Sequence, residues 1–124
     1  MEHHGDVTLR WVKDLLVVSV EGAFNVEGTE AAIKTYKKSV LDAGFLAWVQ
    51  LEIWDGQALG GPDSMEKLPS IYNWAHQHGC IATAIVATNL LQRGTISTNL
   101  PHFIEVFYNQ DEAIKWLDIQ RGNK

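Results

Sequence analysis

Apolar and polar positions alternate first in two short runs, Val7-Thr8-Leu9-Arg10-Trp11-Val12 and Leu15-Leu16-Val17-Val18-Ser19-Val20, separated by Lys13-Asp14. Both runs are rich in β-branched residues, and a two-residue separation predicts an antiparallel hairpin. Gly22 to Asn25 breaks the pattern. The period then changes: Ile33, Tyr36, Lys37 and Val40 recur at helical spacing, which predicts a helix from near Val26 to Asp42 with Gly44 as its stop. Phe45 to Trp54 reads as the next strand. A second helix is expected from Ser64, as its cap, to about His78, with Gly79 after it and Pro69 disturbing its first turns. Ile81 to Thr88 is an unbroken apolar run of the kind buried inside a sheet. Asn89 to Arg93 reads as a short helix, Gly94 to Pro101 as a loop, and His102 to Tyr108 as a last strand. Asn109 is placed to cap a final helix, Asp111 to Gln120, whose acidic start suits the helix dipole.

The order β-β-α-β-α-β-(α)-β-α predicts an α/β domain with a mixed, mostly parallel sheet, opened by a hairpin and joined by right-handed crossovers. The helices are expected mainly on one face. Residues 1–124 read as a single domain, without repeat or linker.

This order resembles the SpoIIAA-like group, which includes the STAS domains of anti-anti-sigma factors. The local words that carry the likeness are Ala84-Ile85-Val86-Ala87, Phe103-Ile104-Glu105-Val106-Phe107 and the helix Asp111-Glu112-Ala113-Ile114-Lys115-Trp116-Leu117. The resemblance implies a regulatory module. In STAS regulators a phosphorylatable serine sits in an Asp-Ser-Ser/Thr-Gly word after the third strand. Asp63-Ser64 keeps its first half, whereas Met65-Glu66 departs from it. Ser64 is therefore a candidate phosphorylation site in competition with an ordinary helix cap.

Charge and composition narrow the partners. The net charge of −5, with scattered basic residues, argues against nucleic acid or an anionic membrane. No apolar run approaches a membrane span, and the first residues do not read as a signal peptide. The single cysteine, Cys80, suits a reducing cytoplasm. His76-Gln77-His78-Gly79-Cys80 invites a metal reading, but two histidines two apart on a helix point in different directions, so no metal is expected. Gly60-Gly61 matches neither phosphate-binding fingerprint, and no cofactor is expected.

The crossover from Trp54 to Met65 follows a strand and precedes a helix, the place where α/β proteins most often hold ligands. Asp55 and Asp63 there, with His102, are the groups a small enzyme would use, although no nucleophile–base pair is evident. Strand alternation adds a second candidate. Val49, Leu51 and Ile53 fall on one face, with Trp48, Gln50, Glu52 and Trp54 on the other; the last strand opposes Ile104 and Val106 to Phe103, Glu105 and Phe107. Leu16, Val18 and Val20 oppose Val17, Ser19 and Glu21 in the same way. The expectation is an aliphatic face under the helices and an outer face of aromatics and carboxylates. Trp48, Glu52, Trp54, Asp55, Phe103, Glu105 and Phe107 are then the candidate binding residues. That face suits a homodimer contact, a ligand cleft or an ordinary surface. The function expected is a non-enzymatic regulatory or binding module for a protein partner or a small apolar ligand. The alternatives are an enzyme at the crossover or a phospho-switch on Ser64.

Overall fold

The computed structural model describes residues 5–56, 58, 66–89, 94 and 100–122. Strands β1 (Asp6–Val12) and β2 (Leu15–Glu21) form the expected hairpin, paired from Asp6↔Glu21 to Val12↔Leu15. Its two-residue turn places Lys13 at φ 54°, the left-handed region that such tight connections require. Helix α1 (Val26–Ala43) starts where Asn25 accepts the Gly28 N–H at 2.8 Å, and it ends at Gly44, whose φ of 69° is the left-handed stop. Strand β3 (Trp48–Trp54), helix α2 (Leu68–Gln77) and strand β4 (Cys80–Val86) follow, then β5 (Ile104–Phe107) and helix α3 (Gln110–Gly122). Asn109 caps α3 as expected, accepting the Glu112 N–H at 2.9 Å.

One boundary differs. The cap position of helix α2 is Lys67, three residues after the expected Ser64, and it makes no side-chain cap bond; the helix begins at Leu68. Pro69 explains the start: in the first turn its missing N–H has no acceptor to lose, whereas deeper in the helix it would break the ladder. Asp63, Ser64, Gly60-Gly61, residues 90–93 and most of the stretch 94–101 lie outside the described residues.

The five strands lie side by side in chain order, β1 to β5, antiparallel in the first pair and parallel thereafter. A sheet that grows in one direction through crossovers of one hand puts its crossover helices on one face. Helices α1 and α2 accordingly share a face, α1 leaning over β1 and α2 over β4, while α3 returns across β3, β4 and β5 on the other.

The register settles which face is which, and it corrects the expectation. Gln50, Glu52 and Trp54 lie level with Leu16, Val18 and Val20 of β2, and Glu52 is level with Ile85 of β4. These residues point the same way, and Leu16, Val18, Val20, Trp54 and Ile85 form one core with Tyr36, Val40, Tyr72 and Ala75 of α1 and α2, with Gln50 and Glu52 buried beside them. Val49 and Leu51 instead pack with Ala82, Ala84 and Val86 under Ala113 and Leu117 of α3. The aromatic–carboxylate side of β3 is thus the side covered by two helices. The self-association surface expected there is buried.

Candidate functional site

The chemistry on that covered side centres on Glu52, only 6% exposed in the middle of the sheet. Its Oε1 accepts two hydrogen bonds at 2.9 Å, from the Trp54 indole and the Tyr72 hydroxyl. Its Oε2 accepts the Gln50 amide at 2.6 Å, and the Gln50 carbonyl oxygen in turn accepts the Tyr36 hydroxyl at 2.5 Å. Two strand residues and Tyr72 of α2 therefore converge on one carboxyl group, and Tyr36 of α1 joins the network through Gln50. A buried acid needs such partners, because each lost hydrogen bond to water must be replaced.

Burial pushes the Glu52 carboxyl above the ordinary glutamate range, against the pull of the three donated hydrogen bonds. No cation bonds to it among the described residues. Burial also raises the hydroxyl pKa values of Tyr36 and Tyr72, and the charge of Glu52 adds to both. Both phenols therefore keep their protons and act as donors.

Because α1 leans toward β1 and α2 toward β4, a gap opens above β2 and β3. It is a cavity of about 100 Å³ with Val18, Val20, Glu52 and Trp54 on the sheet side. Thr29, Ile33 and Tyr36 stand on the α1 wall and Leu68, Ile71 and Tyr72 on the α2 wall, with Phe24, Lys67 and residues of β1 among the rest of the lining. The cavity lies toward the carboxyl ends of β2 and β3, between the first halves of the two helices, where open α/β sheets bind ligands.

The candidate residues named from the sequence do not form one surface. Glu52 and Trp54 line the cavity. Trp48 is fully buried at the opposite end of β3, its indole donating to the His78 carbonyl at 3.0 Å. Phe103, in the turn before β5, stacks on His76 at 3.9 Å between ring centroids. Phe107 packs beside Trp116 under α3, and Glu105 is exposed on β5. Glu105 and Glu21 belong to the α3 side of the sheet, so the three carboxylates expected on one face are split between two. It is burial, not neighbouring carboxylates, that raises the Glu52 pKa.

Asp55 follows β3 and spends its carboxylate on the Gly22 N–H, at 3.1 and 3.3 Å, which ties the turn after β2 to the crossover. Asn89 adds a second tie, donating to the Gly56 carbonyl at 3.2 Å. His102 precedes β5, and in parallel strands that is the opposite edge of the sheet from Asp55. Of the three groups named for catalysis, Asp55 and His102 therefore do not meet, and Asp63 lies outside the described residues. His76 and His78 are likewise held apart, by the Cys80 carbonyl and the Trp74 carbonyl respectively.

Tyr36, Gln50 and Tyr72 were missed as site residues. A signal existed for the tyrosines: a tyrosine on the buried stripe of an amphipathic helix must bring its hydroxyl to a partner inside. Gln50 and Glu52, two apart on one strand, offered that partner.

No family model matches the chain, and no curated protein matches it. Solved structures do. One is an uncharacterised protein of the DUF3478 family with a SpoIIAA-like fold from Shewanella loihica, 17% identical, with a TM-score of 0.62 over 94% of this chain and 96% of that one. Another is an anti-sigma factor antagonist from Mycobacterium paratuberculosis, 15% identical, with a TM-score of 0.66 over 92% and 94%. The unphosphorylated anti-sigma factor antagonist SpoIIAA is 13% identical, with a TM-score of 0.55 over 94% and 99%. Strand order, crossover helices and these likenesses agree: the chain has the SpoIIAA-like fold.

Proposed function

We propose that the protein is a non-enzymatic binding module that encloses a small, predominantly apolar ligand between α1 and α2. The observation that carries this reading is the cavity itself, apolar on nearly every side and furnished with one buried, hydrogen-bonded carboxyl group. Ligand sites commonly combine apolar walls with a few convergent polar groups. Catalysis has less support, because Asp55 is committed to the Gly22 turn and His102 lies at the far edge. Native mass spectrometry of the protein from its own host tests the reading. A bound small molecule is expected on the wild type and not on Ile33→Trp, which fills the cavity. A wild type that carries no ligand and takes none up refutes it.

A protein partner is the second reading, and a homodimer is one form of it. Leu46 is 96% exposed and Leu41 60%, and Phe45 and Val12 also expose apolar surface at the same end of the sheet. Contiguous apolar surface of this kind marks contact sites. Anti-sigma factor antagonists among the similar structures are, by their description, proteins that act on another protein. Sedimentation at micromolar concentration, with Leu46→Glu as control, tests self-association; a monomer unchanged by the substitution removes the dimer. A phospho-switch on Ser64 is a further form, tested by intact mass of the protein from its host. A cytoplasmic location suits the single free thiol of Cys80. Among the described residues, no helix is long and apolar enough to cross a membrane.

A further inference from the structure

The hydrogen bonds around Glu52 have a direction. Tyr36 donates to Gln50, Tyr72 and Trp54 donate to Glu52, and the Thr29 hydroxyl donates to the Asn25 carbonyl at 3.0 Å. All four residues line the cavity, and each of these donors is committed to an acceptor of the protein itself. Of the polar side chains on its wall, only Lys67 keeps a donor free of a hydrogen bond among the described residues. What remains toward the cavity is acceptor capacity. A carboxyl group offers about four acceptor positions, and Glu52 has three filled, two on Oε1 and one on Oε2. Its charge also has no positive partner among the described residues, and a buried charge without one is costly.

A ligand that completes this site must therefore bring the missing donor. The geometry points to a compact apolar molecule headed by a hydrogen-bond donor, a primary ammonium ahead of a hydroxyl, with its head on Glu52 and its body among Val18, Val20, Ile33 and Ile71. This rests on the cavity being a ligand site. An apolar cavity of about 150 Å³ accepts benzene, so one near 100 Å³ takes a body of roughly five carbons. A carboxylate head is disfavoured beside Glu52, since two like charges in a dry site repel. Its rival position is the mouth, beside Lys67.

Four probes with one body separate these cases: cyclopentylammonium, cyclopentanol, methylcyclopentane and cyclopentanecarboxylate. Each is titrated into the full chain while the Trp54 indole N–H resonance is followed by NMR. The ammonium is expected to bind about ten- to a hundredfold more tightly than methylcyclopentane, the size of one charge-assisted hydrogen bond. Cyclopentanol should fall between them, with the carboxylate weakest. In Glu52→Gln the advantage of the ammonium should collapse while methylcyclopentane binds as before, which also shows that the variant is folded. If Glu52→Gln does not fold, the wild-type ranking decides alone. Equal binding of the ammonium and methylcyclopentane overturns the assignment. So does a leading carboxylate whose affinity falls in Lys67→Met. If none of the four binds, the assignment of a compact donor-headed ligand is overturned, while the native mass spectrum of the protein from its host decides separately whether the cavity is a ligand site.

Discussion

Replacing Glu52 by leucine is the sharpest test of how the core is built. The substitution keeps approximate volume and removes the acceptor of three buried donors: the Trp54 indole, the Tyr72 hydroxyl and the Gln50 amide. An orphaned buried donor costs about 1–3 kcal/mol. The Tyr72 hydroxyl can turn toward the cavity, and removing a poorly solvated acid returns part of the loss, so a net destabilisation of about 2–5 kcal/mol is expected near pH 5. Its pH dependence carries the diagnostic sign. Glu52 titrates above 4.5 in the folded protein and near 4.5 in the unfolded chain. Between those values the folded state holds the extra proton, so wild-type stability falls as pH rises, by up to about 1.4 kcal/mol per unit. The leucine variant lacks this group. The gap between the two proteins should therefore be widest on the acid side, shrink as pH rises through the raised pKa, and stay constant beyond it. Urea unfolding of both proteins from pH 4.5 to pH 8 reads the gap directly. A gap that widens with pH would mean that Glu52 is stabilised as an anion, and the desolvation argument would be wrong.

Three further outcomes follow from the structure. Gly79 has a φ of 99°, and a Cβ there would run into the Leu46 carbonyl; Gly79→Ala should lower stability by about 2 kcal/mol or more in thermal or urea unfolding, through combined strain and overlap. Asn25→Ala removes the α1 cap bond to Gly28 and should cost about 1 kcal/mol, while Asn25→Gly should cost only a few tenths. Cys80 is buried, with its thiol pKa pushed up to about 12 mainly by that burial; its labelling by a thiol reagent at pH 8 should proceed only as fast as the protein opens, and rapid labelling of the native state would contradict its placement.

The fold was legible because its signals are local. Lys13-Asp14, Asn25, Gly44 and Asn109 each punctuate the chain with its own chemistry, and the structure places a turn or a cap at every one. The start of α2 was misjudged because Ser64 is a better cap by residue type than Lys67, while Pro69 settles the matter by removing an N–H. The site was harder to read. Alternation within β2 and within β3 was plain, but which set of one strand shares a face with which set of the next depends on register. A shift of one residue exchanges the faces. Val17 is buried on the same face as Ser19 and Glu21, so the polar residues of β2 do not mark an open side of the sheet. Glu52 looked like a surface residue because its burial depends on two covering helices and on Tyr72, twenty residues further along, which no short window of sequence brings to it.

The succession of strands from one edge of the sheet to the other also has a meaning for synthesis. Each strand pairs with the one made just before it, so a chain leaving the ribosome can add strands singly, and α1 and α2 cover their face as they emerge. Among the described residues, the opposite face has no such cover until the last helix. Val49, Leu51, Ala82 and Ala84 wait for Ala113 and Leu117, which arrive only with α3. During that interval the nascent protein shows a bare apolar sheet, and a translational stall before α3 is the moment at which it most needs a chaperone.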